Sequence, residues 1–300
     1  LKYPQEKLEV LIGNDRSEDQ TRAIVESYIQ DKPNFHLIDV TYDWGLAKSK
    51  GNVLAWLANA ATGDYYFITD ADIRVSPYWI QGLLNGFRPG VGVVSGVSVV
   101  YGHTLFGRMQ GLEWRYYMTL VRLTAEVYPI TAIGNNMAVA SQAYWDTNGY
   151  QHLEASVTED YKLFQEITKR GWDANHVMNR EVLGRSEPTT SLSVLLHQRK
   201  RWLRGGMALP KPILGLMLVH GLFVPTLVFL IFIAPCWALV AVLLQLVMQS
   251  SFLAMISRKL GLYWTYTDLI LFGPYHYIMA LITPFYFLLP VKLKWKNRDI

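Results

Sequence analysis

The sequence predicts an α/β domain built on a mainly parallel sheet and followed by C-terminal transmembrane helices. Short apolar runs alternate with helix-patterned segments across the first hundred residues, the rhythm of strands joined through helices. Residues 216–256 then form 41 positions without Asp, Glu, Lys or Arg, and residues 269–291 another 23. About 20 apolar residues cross a bilayer, so the first run holds two helices and the second one. Charge divides the same way: residues 1–196 carry 17 Lys and Arg against 22 Asp and Glu, and residues 197–300 carry 11 against 2. The basic residues flank the apolar runs, as in a membrane anchor rather than a nucleic-acid surface. Trp237, Trp264, Tyr263 and Tyr266 are candidate interfacial aromatics. The expected division is a soluble domain over 1–210, ending in an interfacial helix over 192–205, and a membrane domain of two to three segments over 211–300. The one cysteine, Cys236, excludes an internal disulfide, which fits a soluble part facing a reducing compartment.

The elements follow in order. Residues 8–13 read as a strand, followed by a turn at Asn14-Asp15-Arg16-Ser17. Ser17 and Gln20 have the spacing of a capping box for a helix over about 19–30. Residues 35–40 form a second strand, and Ser49 is placed to cap a helix over 50–61. Tyr65-Tyr66-Phe67-Ile68-Thr69 reads as a buried parallel strand ending in Asp70-Ala71-Asp72. Ser76 and Pro77 predict a helix start, continuing to about residue 87. Residues 91–100 read as a further strand and 105–127 as a helix of mixed character, interrupted by Arg108, Glu113, Arg115 and Arg122. Thr158 is placed to cap a helix over 159–170, with Gly171 as its C-terminal stop.

Polar clusters fall at the ends of these elements. In open α/β sheets ligands bind beyond the carboxyl ends of strands. Asp70 and Asp72 stand at such an end, and two hard oxygen ligands suit Mg²⁺ or Mn²⁺ carrying a phosphate. The alternative is an acidic loop capping the next helix. Gln198, Arg201 and Trp202 sit at i, i+3 and i+4 and share one helix face. An amide, a guanidinium and an indole on one face suit a sugar ring and a phosphate. Arg199 and Lys200 are expected to meet lipid headgroups, and His176 and His197 to be structural.

The ordered set Asp15, Asp70-Ala71-Asp72, Thr158-Glu159-Asp160 and Gln198-Arg199-Lys200-Arg201-Trp202, followed by apolar helices, resembles the membrane-integrated family 2 glycosyltransferases. These include cellulose, chitin, hyaluronan and poly-N-acetylglucosamine synthases and ceramide glucosyltransferases. Lys50-Gly51-Asn52-Val53-Leu54, Gly134-Asn135-Asn136-Met137 and Trp295-Lys296-Asn297-Arg298 add to the resemblance. It implies a GT-A-like domain and inverting transfer from a nucleotide-sugar, usually a UDP-sugar. By that analogy Asp15, Lys50 and Asp70 hold the nucleotide-sugar and Asp72 ligates the metal. Asp160 is the general base, and Gln198, Arg201 and Trp202 line the acceptor and pyrophosphate site.

The sequence departs from the family at Asn14-Asp15-Arg16-Ser17, where the usual turn is Asp-Asp-Gly-Ser; a positive φ at Arg16 would be strained. The family also places a strand before this point, so an N-terminally truncated chain is expected, with weak or absent donor binding. The partners implied are a nucleotide-sugar donor, a polysaccharide or lipid acceptor, membrane lipids and an accessory subunit of unknown kind, with no nucleic acid. The location implied is the bacterial inner or plasma membrane with the catalytic domain cytoplasmic. Three functions compete: a polysaccharide synthase, a single-transfer enzyme acting on a lipid, and a non-catalytic membrane subunit. Three full crossings would leave Lys292–Arg298 opposite Arg258 and Lys259, against the positive-inside tendency. Either the first run is not two full spans, or 269–291 is re-entrant or interfacial.

Overall fold

A computed structural model describes residues 1–154, 156, 158–291, 294–295 and 298–299. Lys296 and Asn297 of the tail segment lie outside the described residues. The chain forms two compact units, one of residues 1–98 and 125–184, the other of residues 99–124 and 185–300. The boundary expected near residue 210 therefore falls inside the second unit.

In the first unit, β1 (Val10–Asn14) and β2 (Phe35–Asp39) pair in parallel around α1 (Thr21–Ile29). Next come α2 (Ser49–Ala60), β3 (Tyr65–Thr69), β4 (Arg74–Val75) and α3 (Trp79–Leu84). The apolar run 91–100 is two strands, β5 (Val91–Ser95) and β6 (Val97–Val100). After α4 (Leu105–Ala125), which belongs to the other unit, come β7 (Asn136–Ala140), α5 (Ser141–Asp146), α6 (Glu159–Lys169), β8 (Asp173–His176) and β9 (Leu183–Ser186). A four-stranded sheet has the order β3-β7-β5-β8, and a three-stranded one the order β4-β9-β6, in which β6 and β9 run past the ends of the first unit at residues 98 and 184. The parallel expectation holds for β1–β2 and β5–β8, while β7 runs antiparallel between β3 and β5. Helices α3, α5 and α6 pack on the four-stranded sheet over a core that includes Leu83, Val94, Ala138, Val139 and Ile167.

Several local expectations are corrected. β3 is the end strand of its sheet, paired antiparallel to β7, with Tyr65 and Thr69 exposed. The Ser17–Gln20 box does not form: the Ser17 N–H donates to Asn14 Oδ1, and Asp19 Oδ1 accepts from the Thr21 N–H instead. Ser49 does not cap α2 but opens it with φ 50°. The helix after Pro77 starts later and ends earlier than expected, at Trp79 and Leu84. Thr158 precedes α6 without a capping hydrogen bond from its side chain. Gly171 does stop α6, at φ 88°.

Asn136 explains why residues 91–100 break. Its amide is fully buried and donates to the carbonyls of Val97 (3.0 Å) and Val182 (2.9 Å), while its oxygen accepts from Trp79 Nε1 (2.8 Å). A Cβ at Gly96 would lie 2.3 Å from that oxygen, so only glycine admits the side chain at the break.

In the second unit, α4 is followed by α7 (Leu192–Gly206), α8 (Lys211–Ile233), α9 (Pro235–Leu260) and α10 (Tyr266–Leu288). The last three are long and apolar enough to cross a membrane. Trp237, Tyr263 and Tyr266 are exposed, as expected of interfacial aromatics, whereas Trp264 packs against an apolar cluster of Met109, Leu112, Leu253, Leu269 and Phe272. The charges on α4 face inward. Glu113 pairs with Arg199 at 2.7 Å and accepts from the Tyr275 hydroxyl at 2.9 Å. Arg108 pairs with Asp268 at 2.8 Å, and Arg115 donates to Ser257 Oγ and the Tyr263 carbonyl. Burial lowers the Arg115 pKa to about 10. The expectation that Arg199 and Lys200 meet lipid headgroups is overturned. Arg199 is held by Glu113, and buried Lys200 donates to the Leu289 carbonyl.

Two substitutions test this packing. Asn136→Ala strands two carbonyls and an indole N–H; at about 1–3 kcal/mol for each buried group left unpaired, the thermal midpoint in detergent should fall sharply. Glu113→Ala leaves a buried guanidinium unpaired, a change costing about 3–5 kcal/mol. A wild-type midpoint in either variant would contradict the corresponding account.

Candidate active site

Three elements of the first unit converge on one cluster. α2 is brought close to β1 because Gly13 has no side chain: a Cβ there would lie 2.3 Å from Val53. This sets Lys50, in the first turn of α2, beside the end of β3. Asp70 follows β3, and the Ile73 N–H closes a turn onto the Asp70 carbonyl at 3.1 Å. Glu159 and Asp160 form the first turn of α6.

Lys50 Nζ lies 2.6 Å from Asp70 Oδ1 and 3.3 Å from Glu159 Oε1, and donates to the Gly134 carbonyl at 3.4 Å. The Gly134 N–H donates to Asp160 Oδ2 at 2.7 Å, and the Tyr161 N–H to Oδ1 at 2.8 Å. A Cβ on Gly134 would lie 2.6 Å from the Asp160 carboxylate, so this approach needs glycine. The Tyr150 hydroxyl is buried near Glu159 and Asp160 without a hydrogen-bond partner among the described residues.

Electrostatics follow from this geometry. Burial pushes the Asp160 carboxyl above the usual range, against the opposing pull of the two backbone N–H groups and Lys50. Burial, and then the neighbouring Asp160 charge, raise Glu159 as well. Burial works against the charge on Lys50, but Glu159 and Asp70 prevail and its pKa is raised.

Asp15 lies in a different polar cluster, after the paired ends of β1 and β2. Its carboxylate is 3.2 Å from Arg16, which also reaches Asp43 at 3.3 Å, and Asp43 pairs with Lys48 at 2.8 Å. Arg16 has φ 55°, the strained conformation expected where the family has glycine. Asp72 is exposed in the turn after β3.

Gln198, Arg201 and Trp202 lie half-buried on α7 in the second unit. The Trp202 ring rests on Trp114 with centroids 4.7 Å apart, and the Arg199 guanidinium lies 4.8 Å from it. Glu113, Trp114 and Arg199 thus join the surroundings of Trp202. Glu159 joins the Lys50 cluster. His176 Nε2 lies 2.6 Å from the Thr131 carbonyl and His197 Nδ1 2.9 Å from the Tyr286 hydroxyl.

The chain is 27% identical over 212 residues to the beta-monoglucosyldiacylglycerol synthase of Synechocystis, covering 69% of this chain and 43% of that protein. It is 27% identical over 176 residues to glucans biosynthesis glucosyltransferase H of Xanthomonas campestris, covering 54% and 27% respectively. The chain thus spans less than half the length of these relatives. The mannosyltransferase PcManGT of Pyrobaculum calidifontis, solved in complex with GDP-Man and Mn²⁺, shares its fold. The TM-score is 0.54 at 19% identity over 95% of this chain and 79% of that one, which identifies a GT-A fold. The model of glycosyl transferase family 21 matches residues 1–300, and the chain belongs to that family.

Proposed function

We propose that this chain transfers a sugar from a nucleotide-sugar to a membrane-borne acceptor by a single inverting displacement, with Asp160 as general base. The observation that carries the proposal is the Lys50–Asp70–Glu159–Asp160 cluster, where a strand end and two helix starts place three carboxylates about one ammonium. The acceptor oxygen attacks the anomeric carbon and passes its proton to Asp160. The bond from that carbon to the phosphate oxygen breaks, and the nucleoside diphosphate leaves. A carboxylate held above its usual pKa is better matched to this proton transfer than an ordinary one.

Lys50 and Asp70 are placed to hold the donor, with Lys50 offering charge to its phosphates. Asp15 is assigned to the base, and Gln198, Arg201 and Trp202 to acceptor and pyrophosphate. Among the described residues, no group of three or more His, Cys, Asp and Glu side chains is placed to hold a metal. A divalent ion arriving with donor phosphates needs only one or two carboxylates. Exposed Asp72 and partly exposed Asp70 fit such an ion, and Lys50 already occupies one Asp70 oxygen, which favours Asp72 as the ligand. When bound, Mg²⁺ or Mn²⁺ would stabilise the charge of the departing diphosphate. The donor proposed is a UDP-sugar, although the structural neighbour holds GDP-Man.

A lipid acceptor is favoured by the Synechocystis relative, whose name is that of a glucosyldiacylglycerol synthase. A growing polysaccharide is the second reading, favoured by the relative named for glucan biosynthesis. The cytoplasmic side of the membrane is the proposed location of the catalytic unit.

The test is a donor panel including UDP-glucose and GDP-mannose, with protein in membranes, divalent ion present or chelated, and products sized by mass spectrometry. One sugar on a lipid supports the first acceptor reading, and a polymer the second. Asp160→Asn should lower kcat by roughly 10²–10⁴-fold; undiminished turnover would refute the mechanism. The base form of Asp160 exists only above its raised pKa, so the acidic limb of the rate profile should lie above the usual Asp value of about 3.9. Lys50→Gln removes a charge favouring the carboxylate and should move that limb to higher pH; movement to lower pH would contradict the cluster. The folded state also holds these protons more tightly than the unfolded state. The associated stability is therefore present below ordinary carboxylate pKa values and lost as pH rises through the raised ones.

A further inference from the structure

The Tyr150 hydroxyl is a buried polar group that the proposed displacement leaves unused. Tyr150 is 2% exposed, and its hydroxyl has no hydrogen-bond partner among the described residues. Buried hydroxyls are normally paired, so an unpaired one beside reacting groups calls for a role. Resting on the assignment of Lys50 to the donor phosphates, we infer that Tyr150 is a positioning residue: its hydroxyl takes over the hydrogen bonding of Glu159 when Lys50 turns to those phosphates.

The tyrosine is held in place by its neighbours. Tyr150 opens a short 3₁₀ turn (Tyr150–His152), and its N–H donates to the Tyr144 hydroxyl at 3.0 Å. The preceding Gly149 has φ 71°, and a Cβ there would lie 2.8 Å from that same hydroxyl, so the approach of Tyr144 needs glycine. The Leu46 N–H donates to the Gln151 carbonyl at 2.8 Å and ties the turn to the segment before α2. On α2, a Cβ at Gly51 would lie 3.9 Å from Tyr150 Cδ1 and 3.7 Å from Glu159 Cβ. Tyr150 and Glu159 therefore pack on one glycine, next in sequence to Lys50.

Glu159 is the group that needs a second partner. Its side chain is 13% exposed, and Lys50 holds Oε1 at 3.3 Å, long for a charge-assisted bond, while the same ammonium lies 2.6 Å from Asp70. Once Lys50 turns to phosphate, Glu159 loses that ammonium but keeps Asp160 beside it. A buried carboxylate in this state either binds a proton or finds a donor. Tyr150 supplies the donor. Burial and the Glu159 and Asp160 charges push its hydroxyl above the ordinary tyrosine range, so it keeps its proton throughout. The charged and titratable groups around Glu159 are Lys50, Asp160 and Tyr150; Asp70 shares Lys50 with it, and the Tyr144 ring packs on Tyr150.

The hand-over has a consequence for the reaction. A hydrogen bond to ionised Glu159 lowers its basicity, while its retained charge raises that of Asp160. The acceptor's proton then goes to Asp160 rather than to its neighbour.

The test is the binding of UDP with Mg²⁺ to the full chain in detergent, with GDP as a second nucleotide. Titration calorimetry in buffers of different ionisation enthalpy counts the protons taken up, at several pH values between about 5 and 8. Tyr150→Phe should take up more protons per bound nucleotide than wild type, the largest difference approaching about one. The difference should vanish when both proteins also carry Glu159→Gln. Without nucleotide, the thermal midpoint of Tyr150→Phe should equal or exceed that of wild type, because the hydroxyl removed is unpaired. Equal proton uptake, or an excess that persists with Glu159→Gln, overturns the inference. So does a midpoint well below wild type, which would mean that the hydroxyl is already paired at rest. Failure of both nucleotides to bind wild type would instead refute the donor role of Lys50, and the inference falls with it.

Discussion

The pairing of Lys50 with carboxylates from two other elements is the interaction on which the first unit's chemistry depends. Asp70, Glu159 and Asp160 come from a strand end and a helix start, and like charges so close would otherwise repel. Lys50 offsets that repulsion, and Gly134 serves the same end from the backbone: its N–H bonds Asp160 and its carbonyl accepts from Lys50. Burial keeps the Glu159 and Asp160 carboxyls reluctant to ionise, because it outweighs these favourable partners. Stability and proton affinity are therefore set by one piece of geometry.

The second unit meets a related constraint with different means. Apolar helices gain little from packing on one another where lipid is equally apolar, so polar contacts specify their partners. α4 supplies such contacts from Arg108, Glu113 and Arg115, each directed at a different part of α9, α10 or the segment joining them, and Glu113 also ties α10 to α7 through Arg199. Glu113 thereby holds Arg199 beside Trp202, linking the packing of the apolar helices to the face expected to receive the acceptor.

Much of this was legible in the sequence, for physical reasons. Asp70 and Asp160 stood out by the order in which the motifs follow one another, since a pair of carboxylates after an apolar run is common by itself. The strand pairing was less legible. An apolar run such as Tyr65-Tyr66-Phe67-Ile68 does not reveal whether it is central or at an edge, and β7 proved to run antiparallel beside it. The break at Gly96 was hidden because it depends on Asn136, forty positions later. Arg199 and Lys200 were misread because basic residues before an apolar run usually face headgroups; their partners Glu113 and Leu289 lie 86 and 89 positions away. The charges on α4 seemed to interrupt an apolar pattern, whereas they are the contacts that organise the second unit.

A single displacement with Asp160 as base inverts the anomeric carbon, so the configuration of the product reports on that role. Proton NMR of the product formed from an α-linked nucleotide-sugar should show a β-linked sugar from the first turnover. An α-linked product would require two displacements or a front-side mechanism, and would contradict the role assigned to Asp160.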